Sequence, residues 1–260
     1  MLLCPLYSGS TGNSSVLSEG DTTIVIDAGV TGKAFLYALS QCEIDPCSIN
    51  AILITHEHSD HIKGAGILSR KFGIPIYANQ KTWNAMCGKL GNIEERNVRV
   101  FETDRSFGLG EIEITPFKIP HDTAEPVAFS FAAKGKKVSI ATDIGHVTDK
   151  IKSALQGSDL LLLESNHDVD MVKKSSYPPE LQARILGDRG HLSNENCAKL
   201  LCELYASGVK RTILGHLSRE NNTEELAHAT VSRILANSGI GADYMLKTAH
   251  FDRVCGKFEV

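Results

Sequence analysis

The stretch "THEHSDH" at Thr55–His61 decides the fold of this chain, and it follows the apolar run "AILI" at Ala51–Ile54. It concentrates four possible metal ligands, which are His56, His58, Asp60 and His61. Imidazole and carboxylate groups suit zinc, manganese or iron. Histidines two positions apart in an extended or turning loop can point the same way, so His56 and His58 can share one ion. Asp60 and His61 can then face a second position where a helix begins.

Two other interpretations of this stretch compete with a metal site. His56 and Glu57 begin the HExxH pattern of metalloprotease helices, but Asp60 stands where that pattern needs its second histidine. The other interpretation is a chance cluster of surface histidines. The position of the cluster argues against chance, because α/β sheets place their ligand sites at the ends of strands.

Apolar runs elsewhere predict further buried strands, separated by segments with helical spacing. The predicted strands are Thr22–Gly29, Ala51–His56, Ile74–Asn79, Glu111–Pro120, a hairpin within Val127–Asp143, Asp159–Ser165 and Arg211–His216. The predicted helices are 31–42, 61–72, 80–90, 147–156, 178–186, 193–207 and 222–237, and residues 244–260 are predicted to form a closing hairpin. Strands lead, a β-meander follows and β/α alternation returns late. This order predicts an α/β fold with two facing mixed sheets and helices outside.

The motif "THEHSDH" resembles the HxHxDH signature of the metallo-β-lactamase superfamily, and the other motifs of that family occur in order along the chain. They are Asp27 at the end of "TTIVID", His121 in "IPHD", Asp143 in "ATDIG" and His216 in "LGHLS". The resemblance implies a four-layer αββα sandwich. It also implies a single domain over residues 1–260, because the 73 positions from Asp143 to His216 leave no room for the β-CASP domain that RNase J inserts there.

The same resemblance implies a site for two divalent ions, zinc or manganese, with iron as a further option. One ion would be held by His56, His58 and His121, the other by Asp60, His61 and His216, and Asp143 would bridge both. Asp27 would brace the metal loop without binding metal. Two divalent ions on neutral imidazoles and two carboxylates leave a net positive charge, which attracts an anionic substrate, and they lower the pKa of bound water.

A lone glutamate ends the apolar strand "LLLLES", and a carboxylate in that place needs a partner. In nuclease members of the fold such as RNase Z, a histidine before the fifth motif pairs with a glutamate and protonates the leaving oxygen. The resemblance assigns these roles to His191 and Glu164. The sequence around His191, "GHLSNEN", would also serve simply to begin a helix with Ser193 as N-cap. His167 is a residue of a solvated loop, a further metal ligand or a substrate contact.

The letters "GHLS" occur twice, at Gly190–Ser193 and Gly215–Ser218, but the flanking residues differ and exclude an internal repeat. A third notable stretch is "SGSTGNSS" at Ser8–Ser15. It is either a simple turn between strands or a cradle for phosphate, because small residues with free amides and hydroxyls bind anions. Phosphodiesterase members of the fold carry a similar loop, which implies substrate contacts from this segment. The candidate residues are Ser8, Ser10, Gly12 and Asn13.

Taken together, these motifs are similar to those of the YycJ/WalJ family of bacterial DNA exonucleases. That resemblance implies 5′-to-3′ hydrolysis of double-stranded DNA by a hydroxide held between two ions, with Asp60 orienting the hydroxide. Three alternatives stay open. They are a small-molecule hydrolase of the glyoxalase II or cyclic phosphodiesterase kind, an RNA-processing nuclease, and a regulatory protein without catalysis, which the complete ligand set disfavours.

The bulk properties set limits on partners and location. A net charge of −4 and a pI near 6.2 exclude a generally basic surface for nucleic acid, so DNA would need a local basic patch. Candidate residues for that patch, which are otherwise ordinary solvated charges, are Lys63, Arg70, Lys71, Lys173 and Lys174. No apolar run is long enough to cross a membrane, no signal peptide is evident, and the seven cysteines form no CxxC. We therefore expect a reduced, cytoplasmic protein, whose oligomeric state the sequence does not indicate.

Overall fold

The computed structural model describes residues 1–241 and 243–260. Seven strands of the first half and the carboxyl terminus form one mixed sheet. Its strands in chain order are β1 (Leu2–Gly9), β2 (Gly12–Glu19), β3 (Thr22–Ile26), β4 (Ile49–Leu53), β5 (Ile76–Asn79), β6 (Val98–Phe101) and β14 (Phe258–Glu259). The spatial order is β14-β1-β2-β3-β4-β5-β6. Pairing is antiparallel from β14 to β3 and parallel from β3 to β6.

A second sheet of seven strands mirrors this arrangement. Its strands are β7 (Phe107–Leu109), β8 (Ile112–Lys118), β9 (Val127–Ala133), β10 (Lys136–Ala141), β11 (Leu160–Glu164), β12 (Arg211–Gly215) and β13 (Met245–Thr248). They lie in the order β13-β12-β11-β10-β9-β8-β7. The meander β7 to β10 is antiparallel, whereas β10 to β13 are parallel.

The helices connect these strands, and six of the nine described helices begin at a residue whose side chain caps the first turn. They are α1 (Gly32–Gln41), α2 (Ser59–Ile62), α3 (Ala65–Phe72), α4 (Gln80–Leu90), α5 (Asp149–Leu155), α6 (Val169–Lys174), α7 (Pro179–Leu186), α8 (Asn194–Tyr205) and α9 (Glu224–Asn237). Short 3₁₀ turns occupy Pro46–Ser48 and Glu95–Asn97. Ser193 caps α8 as predicted, because its hydroxyl accepts the N–H of Asn196 at 3.2 Å.

Three apolar cores separate four layers. Alternate residues of a strand serve different cores: in β11, Leu160 and Leu162 pack between the two sheets, whereas Leu161 and Leu163 pack under α5, α8 and α9. The third core lies between the first sheet and α1, α3 and α4. Both faces of the central strands are buried, which is why they are continuously apolar in sequence. The predicted αββα sandwich is confirmed.

Several local predictions were wrong. The tail is not a hairpin, because β13 pairs with β12 while β14 pairs with β1, so each segment covers the edge of a different sheet. The helix predicted over 61–72 is divided into α2 and α3 at Gly64. A Cβ there would lie 2.5 Å from the carbonyl oxygen of Val30, so the chain must pass that backbone closely. Strands β1, β2, β6 and β7 and helix α6 were not predicted.

Polar residues gather where the parallel strands end. Asp27 follows β3, Asp143 lies just past β10 and His216 follows β12. All three have positive φ angles, of 58°, 61° and 56°, an unusual conformation for side chains with a Cβ that clusters at functional sites. The end of each strand therefore turns sharply and presents a polar side chain to one end of the sandwich.

Candidate metal centre

The first group of possible ligands joins the loop after β4 to the segment after β8. His56, His58 and His121 each offer a ring nitrogen, and these atoms lie within 4.8 Å of one another. The Nδ1 of His58 lies 3.3 Å from the Nε2 of His121. The rings stand nearly perpendicular to each other, with centroids about 5 Å apart. Three imidazoles therefore converge on one point, as the sequence predicts for the first ion.

The second group comes from the first turn of α2 and the end of β12. The Nε2 of His61 lies 3.3 Å from the Oδ2 of Asp60, and the Nε2 of His216 lies 3.7 Å from the same oxygen. Asp143 stands between the two groups. Its Oδ2 lies 3.3 Å from His61, and its Oδ1 lies 3.5 Å from both His121 and His216. The structure thus brings all seven predicted ligands together, with Asp143 in a bridging position.

Hydrogen bonds fix the rings so that the remaining nitrogen faces the centre. The Nδ1 of His61 bonds the Oδ2 of Asp27 at 2.7 Å, and the Nδ1 of His121 bonds the carbonyl oxygen of Gly190 at 3.1 Å. Partners of this kind select the tautomer and orientation of ligating histidines. Asp27 also accepts the N–H and hydroxyl of Thr55 at 2.9 and 2.8 Å. It braces the loop, which is the role the resemblance assigns to it.

Three buried atoms at the centre test whether metal ions fit. The Nε2 of His56, the Nε2 of His216 and the Oδ2 of Asp143 have no hydrogen-bond partner among the described residues. Buried polar atoms are seldom left unpaired, and a cation would satisfy all three. Nitrogen and carboxylate donors in this number suit divalent transition metals. The residues therefore fit divalent ions.

The charges of the cluster support the same conclusion. Burial alone would lower the pKa of His216, but Asp143, Asp60 and Glu164 raise it to about 10. Burial favours protonation of Asp143, yet the imidazoles around it, led by His216 and His61, hold its pKa well below the usual range. Protons on imidazole thus balance the carboxylates in the metal-free protein. Divalent ions would replace them, since ligands must be deprotonated to bind.

Glu164 is fully buried at the end of β11 and makes four hydrogen bonds. Its Oε1 accepts from the Nδ1 of His191 at 2.9 Å and from the Nδ1 of His216 at 2.8 Å. Its Oε2 accepts the N–H groups of Ile144 and Leu192 at 2.7 and 3.0 Å. Burial would raise its pKa, but the two histidines lower it to about 2. The sequence predicted only the His191 partner, and the second, His216, could not be foreseen without the fold.

A cavity of about 640 Å³ opens onto the ligands. His191 lines it, and 19% of its side chain is exposed there. Because the Nδ1 of His191 is hydrogen-bonded to Glu164, its Nε2 is the ring nitrogen available to a substrate. Two arginines also line the cavity, Arg184 of α7 and Arg219, which directly follows the second GHLS segment. Neither was predicted, although the position of Arg219 three residues after His216 was a usable signal.

The predicted phosphate loop needs correction. The hydroxyl of Ser8 is buried and accepts the N–H of His216 at 2.9 Å, so Ser8 supports a ligand instead of facing substrate. Gly12 and Asn13 are buried as well, and Asn13 donates to Asp60 at 3.3 Å. Of the four predicted residues, only Ser10 lines the cavity, together with Thr11. The physical reason is that β1 and β2 extend into this segment, and only the tip of their hairpin is free.

Other predicted substrate contacts also lie away from the cavity. His167 is 1% exposed and its backbone pairs with that of Ser193, so its position does not support a substrate contact. None of the five predicted basic residues lines the cavity, and Arg70 instead donates to the carbonyl oxygen of Leu90 at 2.6 Å. Charged residues on helices look alike in sequence whether they face a site or solvent. Those five residues are Lys63, Arg70, Lys71, Lys173 and Lys174.

Asp122, next to His121 in "IPHD", was missed. Its Oδ2 accepts from the Nε of Arg184, and its Oδ1 lies 3.7 Å from the Nε2 of His58. Arg184 and the cluster of histidines keep its pKa below the ordinary value, against the effect of burial. Asp122 therefore links α7 to the outer side of a metal ligand.

The comparisons with known proteins agree with this geometry. The model of the beta-lactamase superfamily domain matches residues 22–217. The chain belongs to the metallo-β-lactamase superfamily. Exodeoxyribonuclease YycJ of Bacillus anthracis is 41% identical over 236 residues, which cover 91% of this chain and 89% of the relative. Exodeoxyribonuclease WalJ of Streptococcus pneumoniae serotype 2 (strain D39) is 41% identical over 243 residues, with 92% and 90% coverage.

A solved structure extends the agreement to the architecture of the metallo-β-lactamase fold. YhfI of Bacillus subtilis, a metallo-β-lactamase fold protein, superposes with a TM-score of 0.74 at 15% identity and covers 99% of both chains. The predicted family is confirmed, and the chain is a metal-dependent hydrolase of that superfamily. None of the helices within residues 1–241 and 243–260 has the length and apolar character needed to span a membrane.

Proposed function

We propose that this protein is a 5′-to-3′ exonuclease on double-stranded DNA that works with two divalent ions, zinc or manganese, with iron as a further option. One observation carries the phosphodiester chemistry. His191 is held on buried Glu164 at the edge of the ligand cluster, with its free nitrogen in an open cavity. A positioned imidazole of this kind can protonate the leaving oxygen of a phosphodiester.

The nuclease class rests on similarity along nearly the whole chain. Both exodeoxyribonucleases, YycJ and WalJ, match more than nine-tenths of this chain at 41% identity. Their names support DNA as the substrate. The duplex form and the polarity of degradation are our proposal, as is a single domain over residues 1–260 without a β-CASP insertion. The seven cysteines are free, which supports a location in the reducing cytoplasm.

The ions would be held by the two groups of ligands described above. His56, His58 and His121 would hold one, Asp60, His61 and His216 the other, and Asp143 both. When bound, such ions polarise phosphoryl oxygens and lower the pKa of water so that a nucleophile is available near neutral pH. Asn13 donates to Asp60 at 3.3 Å and so holds that carboxylate in place beside the centre.

The residues of the chain supply the remaining steps. Arg184, Arg219 and the hydroxyls of Ser10 and Thr11 line the cavity and can hold the phosphate by charge-assisted hydrogen bonds. A P–O bond to the oxygen of water forms, that water releases one proton to solvent, and the P–O bond to the leaving nucleotide oxygen breaks. His191 gives its Nε2 proton to that leaving oxygen. The carboxylate of Glu164 holds the ring in place through Nδ1, and a proton from solvent returns to Nε2 after the transfer.

A panel of substrates tests the proposal. Metal-depleted protein, resupplied with Mn²⁺ or Zn²⁺, is given duplex DNA labelled at either 5′ or 3′ end, single-stranded RNA, bis-p-nitrophenyl phosphate and a glutathione thioester. We expect mononucleotide release from the 5′ end of the duplex. Thioester hydrolysis without diester hydrolysis would contradict the proposal, and faster cleavage of RNA would change the substrate to RNA.

A further inference from the structure

Helix α7 carries an apolar face that none of the three cores covers. Tyr177, just before the helix, and Leu181 and Ile185 within it recur at a spacing of four residues. All three line the cavity and are half-buried, while no residue of α7 is fully buried. An apolar stripe of this kind normally faces a core. Here it faces the space above the metal ligands.

This face is held rigidly against the catalytic residues. The N–H of His191 donates to the carbonyl oxygen of Ile185 at 3.1 Å, and Arg184 donates to Asp122. Gly190 allows the close approach, because a Cβ there would lie 2.2 Å from the Ile185 oxygen. The amide of Gln182 donates to the carbonyl oxygen of Tyr177 at 2.9 Å and fixes the turn before the helix. The apolar face and the proposed proton donor therefore keep a fixed relation.

The cavity thus has two kinds of wall. Ser10, Thr11 and Arg219, with Glu220 beside it, make a polar wall on which Arg219 can bind a phosphate. Leu181 and Ile185 of α7 supply an apolar wall next to Arg184. Among the lining residues within the described part of the chain, Tyr177 is the only Phe, Tyr or Trp. A nucleotide has the matching two-sided character, and aromatic side chains bind single-stranded nucleic acid by stacking on its bases. The volume of about 640 Å³ suits a ligand of one or two nucleotides and not a duplex.

We propose that the Tyr177–Leu181–Ile185 face holds the base beside the scissile bond, so that the substrate strand enters with its terminal nucleotide unpaired. This inference rests on the proposed nuclease function and specifies its substrate. Duplex DNA is then degraded only as fast as its terminal base pair opens, and ends that are already unpaired are the better substrates. Enzymes that take a base out of the duplex into a pocket must supply the free energy of unpairing and unstacking it, which is smallest for a mismatched base.

Three duplexes test the inference, identical except at the cleaved end. One ends in a G·C pair, one in a mismatch, and one in an unpaired tetrahydrofuran residue that lacks a base. For the wild-type protein we expect kcat/KM to be about tenfold higher on the mismatched end than on the G·C end. On the end without a base we expect kcat/KM to be about tenfold lower than on the mismatched end. Equal rates on the mismatched and base-free ends would overturn the inference while leaving the proposed nuclease intact. If no DNA end is cut, both fall.

Variants locate the effect. Tyr177→Ala is expected to lose about tenfold in kcat/KM on the mismatched end, mostly through KM, and to match the wild-type protein on the base-free end. Tyr177→Phe keeps the ring and should behave as wild type. Tyr37→Ala is the matched control, because Tyr37 is 64% exposed on α1 and does not line the cavity. An equal loss for Tyr177→Ala on both ends would mean a merely structural role and would also overturn the inference.

Discussion

The two GHLS segments share local side-chain contacts, but they differ in backbone conformation and in surroundings. Leu192 and Leu217 are both about 1% exposed and occupy the same core. Each serine accepts an N–H three residues later, at 3.2 Å in both segments. The histidines differ. His216 follows β12 and is buried among the proposed ligands, whereas His191 follows α7 and keeps 19% of its side chain exposed in the cavity.

This difference teaches that four identical residues can share local contacts without sharing a backbone conformation or a role. One carboxylate, the Oε1 of Glu164, accepts hydrogen bonds from both histidines at 2.9 and 2.8 Å. The free nitrogen of His216 faces Asp143 and Asp60, where a cation would bind. The free nitrogen of His191 faces the cavity, where we propose that it meets the substrate. The backbone differs as well, because His216 has a positive φ of 56° and His191 does not.

The largest effect is expected for His216→Ala. Removal of this ligand should lower metal content by about one ion per chain and lower kcat by about 10⁴-fold or more, because the ions provide both the nucleophile and the charge stabilisation. Metal content by mass spectrometry and rates on labelled duplex measure the two effects. Unchanged metal content would show that His216 is not a metal ligand, so the proposed difference in role between His216 and His191 would be wrong.

His191→Ala should keep its metal and lose about 10²- to 10⁴-fold in kcat on DNA. Bis-p-nitrophenyl phosphate offers a sharper test, because nitrophenolate leaves readily without a proton. On that substrate we expect the variant to retain most of its activity. His228→Ala, an exposed histidine on α9, is the control. Equal losses on both substrates would disprove proton donation by His191.

Glu164→Gln affects both segments at once. We expect a loss of about 10- to 100-fold in metal affinity or activity, because partners of ligating histidines typically contribute this much. Metal affinity by competition with a chelating dye and kcat on DNA report on His216 and His191 separately. Glu113→Gln, an exposed carboxylate on β8, should change neither. A loss confined to kcat would mean that Glu164 does not orient His216.

Acid pH should weaken the contribution of Glu164 to stability. The pKa of Glu164 falls from 4.5 to about 2 in the folded protein, since the two histidines outweigh burial. A carboxyl group whose pKa is lower in the folded protein stabilises the folded state fully at a pH above its unfolded pKa. That stabilisation is lost as the pH falls through its folded pKa. The difference in melting temperature between metal-free wild type and Glu164→Gln should therefore shrink between pH 4.5 and about 2. A constant difference would contradict the hydrogen-bonding scheme.

The smallest effect on activity is expected for Asn222, which follows the second GHLS segment and does not line the cavity. Asn222 donates to the Oδ1 of Asn194 at 2.9 Å and to the carbonyl oxygens of Ser165 and Asn166. Asn222→Ala removes the hydrogen bond to the Ser165 carbonyl oxygen and the acceptor of the Asn194 amide, and it should lower the free energy of unfolding by about 1–3 kcal/mol. Urea denaturation measures the loss, with exposed Asn196→Ala as control. A large fall in kcat for Asn222→Ala would show that the hydrogen bond between Asn222 and Asn194 also positions His191.

Much of the fold was predictable because both faces of its central strands are buried. A run such as "LLLLE" has no other stable place than a strand with apolar neighbours on both sides. The ligands in "THEHSDH" were predictable because they are adjacent in sequence. His121, Asp143 and His216 were assigned from the resemblance, and the structure places them at the same centre.

The failures share a physical cause, which is that they depend on contacts between distant segments. Ser8 was expected to face substrate but supports His216 across a separation of 208 residues. Arg184 reaches the cavity because α7 packs beside His191, while Lys173 on the preceding helix does not. The tail forms two separate edge strands because the two sheets, not the tail itself, offer the partners.

The sequence by itself determined the alternation of buried strands and helices, the order of the family motifs and the ligand types that suit a divalent ion. These follow from local chemistry, since periodicity and side-chain type act within a few residues. Only the tertiary structure decided that Glu164 serves both GHLS histidines, that most of the Ser8–Ser15 loop is support, and that α7 turns an apolar face to the cavity. Such facts arise where the folded chain brings remote residues within hydrogen-bonding distance, and no short stretch of sequence contains them.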